Sequence, residues 1–193
     1  MKDINFFSIK DSIYLKHISN KSQIGKKDKC DGYLIESNEK EARRIIESLK
    51  GKNKIIAIVG EDDAFNRRAV ETLRIDYLVS PERGKKTDSL KQRDSGINHV
   101  VAKEAARNKI SFVVNLYELS NLSKEEKSKR LSRIIQNIKI CRRAKCQIKI
   151  ANFSSDRKFL VNEIGRKALG ISLGMSSGQA KNCVDFNHRV NLE

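Results

Sequence analysis

The sequence predicts an α/β fold with a parallel sheet and helices packed outside it. Two observations predict this. Short β-branched runs alternate with helical apolar periodicity along nearly the whole chain, at about 20–25 residues per unit, the length a strand–helix–strand crossover needs. The runs are also continuously apolar, as strands covered on both faces are.

In chain order, the strand-like runs go from Ile4 to Ile9, Gly32 to Ile35, Ile55 to Val59, Tyr77 to Val79, Phe112 to Val114 and Ile148 to Ala151. Between them, Ala42, Ile45, Ile46 and Leu49 recur at helical spacing, with Glu41, Arg43 and Arg44 on the opposite face. Ile97, Val100, Val101 and Ala105 repeat the pattern. So do Leu131, Ile134, Ile135, Ile138 and Cys141, in a helix opened by the capping-box sequence Ser123-Lys124-Glu125-Glu126. Its exposed face is predicted to carry Lys127, Lys129, Arg130, Arg133, Lys139, Arg142 and Arg143. Val161, Ile164, Ala168 and Ile171 mark a further helix, interrupted by Gly165 and Gly170. Gly174 ends it, and Ser176 or Ser177 caps a last short helix reaching Phe186. Periodicity leaves an open doubly wound sheet and a barrel both possible. Val59-Gly60-Glu61-Asp62 has one glycine followed by two acids, the wrong chemistry for a dinucleotide fingerprint.

The length of 193 residues fits one domain over 1–193, with a sizeable core. Lys and Arg number 40 against 24 acidic residues, a formal charge of +16. A surface of that charge attracts polyanions, so nucleic acid or an anionic membrane is the expected partner. The apolar runs are of strand length, far below the roughly 20 residues of a membrane span. Met1-Lys2-Asp3-Ile4-Asn5 does not follow the pattern of a signal peptide, and no lipidation motif is visible. Nucleic acid is the better partner, no membrane contact is expected, and the expected location is cytoplasmic. Cys30, Cys141, Cys146 and Cys183 have neither zinc-ligand nor disulfide-framework spacing and read as reduced, partly buried thiols.

The regular alternation breaks between Ser80 and Gly96, a long polar loop after a strand-like run. Open sheets and barrels alike place functional loops at the carboxyl ends of strands. The loop carries Arg83, Lys85, Lys86, Lys91 and Arg93, and the helix after it begins Asn98-His99 and continues to Lys103. These eight residues are the candidate nucleic-acid contacts, because cations near phosphate release counterions. Two readings are open for Asn98 and His99: contact with nucleic acid, or hydrogen bonds that fix the loop backbone. Tryptophan is absent, and Phe6, Phe7 and Phe112 lie in strand-like runs. That argues for shape and phosphate contacts rather than base stacking.

Asp94-Ser95-Gly96-Ile97-Asn98-His99-Val100-Val101-Ala102-Lys103-Glu104-Ala105-Ala106, with Ser80-Pro81-Glu82-Arg83 before it, resembles the thirty-kilodalton protein subunit family of ribonuclease P, protein component 3 in archaea. The closing segment Leu173-Gly174-Met175-Ser176-Ser177-Gly178-Gln179-Ala180 is similar to that family's ending, and the resemblance runs from about Gly32 onward. One departure is Ser95, where the family usually has cysteine. The resemblance implies a distorted TIM-like α/β barrel, related to the PHP phosphoesterases, with parallel strands inside and helices outside. It implies a non-catalytic subunit of an endoribonuclease that removes the 5′ leader from precursor tRNA. The implied partners are the ribonuclease P RNA, a smaller protein subunit and, indirectly, precursor tRNA. No cofactor is expected on this chain, the catalytic magnesium belonging to the RNA.

The alternative is a metal-dependent phosphoesterase of the related barrel. Such a site needs several His and carboxylate ligands, typically with His-x-His on the first strand. The first run, from Ile4 to Ile9, has no histidine, and the chain's 3 histidines, His17, His99 and His188, are far apart in sequence. No Gly-x-Ser-x-Gly nucleophile elbow is present. No catalytic residue and no metal ligand is therefore predicted.

Overall fold

The computed structural model describes residues 3–25, 27–85, 87–89 and 93–186. Its sheet has seven strands in the order β1 (Ile4–Asn5), β2 (Ile13–Ile18), β3 (Gly32–Ile35), β4 (Ile55–Val59), β5 (Tyr77–Val79), β6 (Ser111–Asn115) and β7 (Ile148–Ala151). Every neighbouring pair is parallel. The ring then closes on itself. Phe153, two residues beyond β7, donates its amide to Ile4 O at 2.8 Å, and Phe6 donates to Ser154 O at 3.0 Å. The structure thus chooses the barrel, the alternative that periodicity left open.

A buried carboxylate holds that seam. Asp3 accepts from the amides of Ile4 and Asn152, from both side-chain amides Asn5 Nδ2 and Asn152 Nδ2, and from Arg166 Nη1 at 2.9 Å. A charge this buried is tolerable because each oxygen is paired.

The helices are α1 (Glu39–Leu49), α2 (Asp63–Thr72), α3 (His99–Arg107), α4 (Leu116–Ser120), α5 (Lys124–Ala144), α6 (Glu163–Ser172) and α7 (Ser177–Asn182). Side chains along the strands alternate between two cores. Leu15, Leu34, Ala57, Val59, Tyr77, Val79, Val113, Ala151, Phe153 and Phe186 fill the barrel interior. Ile35, Ile58, Leu78, Phe112, Val114 and Ile150 point outward into the layer beneath the helices, against Ile45, Val101, Ile134 and Ile138. This explains the continuous apolar runs, since both faces of each strand are covered. No helix among the described residues is long and apolar enough to cross a membrane. All four cysteines are buried and free.

Several boundaries differ from the sequence expectation. The first run yields a strand only over Ile4–Asn5, because the chain turns after Phe6 makes its seam bond. β2 and α2 escape a purely apolar template. β2 carries Lys16, ion-paired with Asp28 at 3.1 Å, and α2 places the polar Asn66 within its buried stripe. Ser123 caps α5 by accepting from the Glu126 amide at 3.2 Å, which is the hydroxyl half of the predicted capping box. The full reciprocal box forms instead at Ser176 and Gln179, at the start of α7. That last helix ends at Asn182 rather than reaching Phe186, which leaves Phe186 free to turn into the barrel.

Candidate nucleic-acid interface

The loop from Ser80 to Gly96 leaves the carboxyl end of β5 and is fastened at both ends. It begins with Ser80 in a left-handed conformation, φ 50°, followed by a 3-10 turn over Pro81–Arg83. It ends at Gly96, φ 76°, where a Cβ would sit 1.8 Å from the Pro81 carbonyl oxygen. Only glycine allows both that backbone conformation and that approach. Asn66 of α2 ties the two ends together, donating Nδ2 to Pro81 O and Gly96 O at 3.0 Å each. Its Oδ1 accepts from the Glu61 amide at 2.9 Å, so the wholly buried amide is satisfied on both sides.

The middle of the loop is held from α5. Arg133 is 1% exposed and donates to Glu82 O at 3.0 Å, to Gly84 O and, through Nε, to Asp88 Oδ1 at 2.9 Å. Asn137 donates to Ser95 O at 2.9 Å, and Gln136 exchanges bonds with both backbone groups of Arg93. The expectation that Arg133 lies on an exposed basic face is thus corrected: it is the loop's internal anchor. Its planar fork of donors suits it to gathering loop oxygens. Arg130, also expected outside, has a side chain only 14% exposed.

Around the strand ends lies a second polar cluster. Arg83 meets Glu36 at 2.8 Å and Glu118 at 3.1 Å. Arg130 meets Glu118 at 2.9 Å and Glu82 at 3.5 Å. Ser80 donates to Glu118, and His17 contacts Glu36 at 2.9 Å. Burial pushes the Glu82 carboxyl up to about 7, outweighing the attraction of Arg130. Arg83 and His17 hold Glu36 below the usual carboxylate range despite partial burial.

This rim is where a barrel phosphoesterase would hold its metals, and its donor set does not fit them. The carboxylates Glu36, Glu82 and Glu118 face guanidinium groups that already occupy the place of a cation, and a single imidazole is nearby. Among the described residues no group of three or more His, Cys, Asp or Glu side chains could hold a metal ion.

The predicted RNA contacts separate into three groups. Arg83 is half-buried and committed to Glu36 and Glu118. Asn98 caps α3, accepting from the Val101 amide at 3.0 Å, so its hydrogen bond goes to the helix rather than the loop. Lys85, Arg93, His99 and Lys103 are exposed, with Arg93 only loosely paired to Asp88 at 3.8 Å. Arg93 and Asn98 line one pocket of about 380 Å³ together with Arg67 of α2, a residue that sequence reasoning did not single out. Lys86 and Lys91 lie outside the described residues.

Fold and rim together define a TIM-like α/β barrel protein with a basic surface and an arginine-filled strand-end rim. The chain belongs to the RNase P subunit p30 family, whose match runs over residues 33–191. Among curated relatives, ribonuclease P protein component 3 of Methanocaldococcus jannaschii is 28% identical over 131 residues, covering 68% of this chain and 53% of the relative. The Methanococcus vannielii protein of the same name is 24% identical over 123 residues, covering 64% and 50%. The chain thus spans about half the length of the curated relatives it matches. A chain in the cryo-EM structure of archaeal ribonuclease P with mature tRNA superposes with a TM-score of 0.74 at 23% identity, over 94% of this chain and 85% of that one. An amidohydrolase superposes with a TM-score of 0.56 at 14% identity, over 81% and 41%. At such identities the structural likenesses show the fold, and the fold is shared with an amidohydrolase as well as with a chain of archaeal ribonuclease P.

Proposed function

We propose that this chain is a protein subunit of ribonuclease P that binds and stabilises the catalytic RNA during removal of the 5′ leader from precursor tRNA. The observation that carries this reading is the p30 family match over residues 33–191. The formal charge of +16 supports it, as a polyanion-binding surface would. The arginine-filled rim supports a binding role over hydrolysis by the chain itself. In this reading magnesium is held by the RNA, and the chain works in the cytoplasm alongside a smaller protein subunit, meeting precursor tRNA indirectly. Lys85, Lys86, Lys91, Arg93, His99 and Lys103 are the proposed RNA contacts. Arg83 and Asn98, also candidates from the sequence, act on RNA by fixing the loop and the start of α3.

Reconstitution tests the proposal. Cognate RNA and the companion proteins, assembled with and without this chain, are assayed for precursor-tRNA cleavage. Cleavage is expected to rise when the chain is present. Equal cleavage with and without it overturns the reading.

A further inference from the structure

The opposite end of the barrel, where the loops lead into the strands, carries a second concentration of basic side chains. A cavity of about 840 Å³ opens there, lined by Lys50, Lys54, Arg74, Lys109, Lys145 and Lys149. Among the described residues two carboxylates line it, and both are engaged. Glu47 pairs with Lys50 at 3.6 Å, and Asp76 accepts from the Ile56 amide at 2.8 Å. Lys54 is spent on the Cys30 carbonyl. Arg74, Lys109 and Lys145 have no carboxylate partner among the described residues.

Cations at helix C-termini have an ordinary explanation, because they offset the helix dipole. Lys50, Arg74, Lys109 and Lys145 follow the ends of α1, α2, α3 and α5 and fit it in part. Two features exceed it. Lys109 and Lys145 adopt φ of 59° and 57°, left-handed positions that favour glycine and cost other residues roughly 1 kcal/mol. Three non-glycine residues of this cavity adopt such a conformation, Asn53, Lys109 and Lys145, and two of the three carry a charge. Lys149 follows no helix. It sits mid-strand in β7, faces the barrel axis, and donates Nζ to Asp185 O with the Phe186 ring 5.5 Å away. Burial lowers its pKa, opposed by the attraction of Asp185.

We infer that this basic cavity at the amino-terminal end of the barrel is a second binding site for the phosphodiester backbone of RNA. The inference rests on the RNA-binding reading above. The lining supports backbone contact over base recognition: mostly lysine point charges, with its one aromatic side chain, Tyr77, buried in the barrel. Two basic regions at opposite ends of the barrel allow one chain to bridge two segments of a folded RNA.

The test uses the full chain carrying Arg74→Gln, Lys109→Gly and Lys145→Gly. Glycine suits both left-handed positions, so charge is removed without strain and thermal unfolding should show the fold intact. Binding to the cognate ribonuclease P RNA is measured across a potassium chloride series. Each lost phosphate contact flattens the log–log salt slope by about 0.7–0.9 units. The triple variant should therefore flatten it by about two units and weaken binding at least about tenfold at low salt. RNA should also protect Lys109 and Lys145 from acetylation in the unmodified chain. An unchanged slope in the triple variant, while loop variants still lose affinity, overturns the second site and leaves the proposed function standing. Protection of these lysines by the companion protein without RNA also overturns it. If the unmodified chain retains no RNA at any salt, the RNA-binding reading fails first and the second site falls with it.

Discussion

The two ends of the barrel use similar residues in opposite ways. At the carboxyl end, Glu36, Glu82 and Glu118 meet Arg83 and Arg130, so each guanidinium is consumed by carboxylates of its own chain. At the amino end, six cations line a cavity, and three of them, Arg74, Lys109 and Lys145, have no carboxylate partner among the described residues. The difference separates charge that builds structure from charge that remains for a ligand. A count of Lys and Arg in sequence treats the two alike. Only side chains without an internal partner retain the full attraction for phosphate, while a buried pair has already exchanged hydration for a fixed geometry.

The contrast breaks most severely at Arg133. Its guanidinium gathers the Glu82 and Gly84 carbonyls and the Asp88 carboxylate at the centre of the carboxyl-end loop. Arg133→Ala strands these acceptors in a buried site, and loss of one partner of such a network costs about 3–5 kcal/mol. Urea unfolding should register a loss of that size. Arg133→Lys should recover little, because a point charge cannot serve the three directions of the fork. A variant as stable as the parent would mean that the loop is held without α5.

A smaller effect distinguishes the ends by pH. Glu82 has a carboxyl pushed up to about 7 by burial, against an ordinary 4.5. Between those values the folded chain keeps a proton that the unfolded chain releases. Stability from this group is therefore complete below pH 4.5 and declines as pH rises to about 7. Glu82→Gln removes that slope, so its stability relative to the parent should rise with pH across the window, by about 3 kcal/mol at most. Parallel pH profiles for parent and variant would show that Glu82 ionises freely beside Arg130.

Much of the architecture was legible in sequence because both strand faces are apolar, and α1, α3 and α5 announce their buried stripes at helical spacing. Closure was not legible. It depends on Asp3 bonding across the ring to Asn152 and Arg166, contacts separated by 149 and 163 residues. The loop at Ser80 to Gly96 was found through its length and its charges, but the roles within it were not. Arg133 falls among the polar residues of α5 in sequence, and nothing local says that a loop folds over it. Asn66 was hidden for the opposite reason, a polar residue within an apolar stripe. The amino-end cavity left no linear trace, since its lining comes from four separate helix–strand connections and β7. Its one local signal was lysine after a helix, a pattern that the helix dipole already explains.

The smallest expected effect concerns two cations of the loop. Lys85 is exposed on the loop, and Lys86 follows it outside the described residues. Replacing both with Ala should leave stability within about 0.5 kcal/mol, as for surface substitutions away from packed features. RNA binding should nevertheless weaken, and its salt dependence should flatten by up to about two units if both lysines meet phosphate. Measured beside the Arg74, Lys109 and Lys145 variant, this pair tells whether the two ends act on one RNA independently. Slopes that add in the combined variant mean two separate backbone contacts. A combined slope no flatter than that of either variant alone means that the two regions compete for the same phosphates, which opposite ends of a closed barrel do not allow for a single short duplex. An unchanged slope for the loop pair alone would make Lys85 and Lys86 solvated charges and move the weight of RNA binding to the amino end.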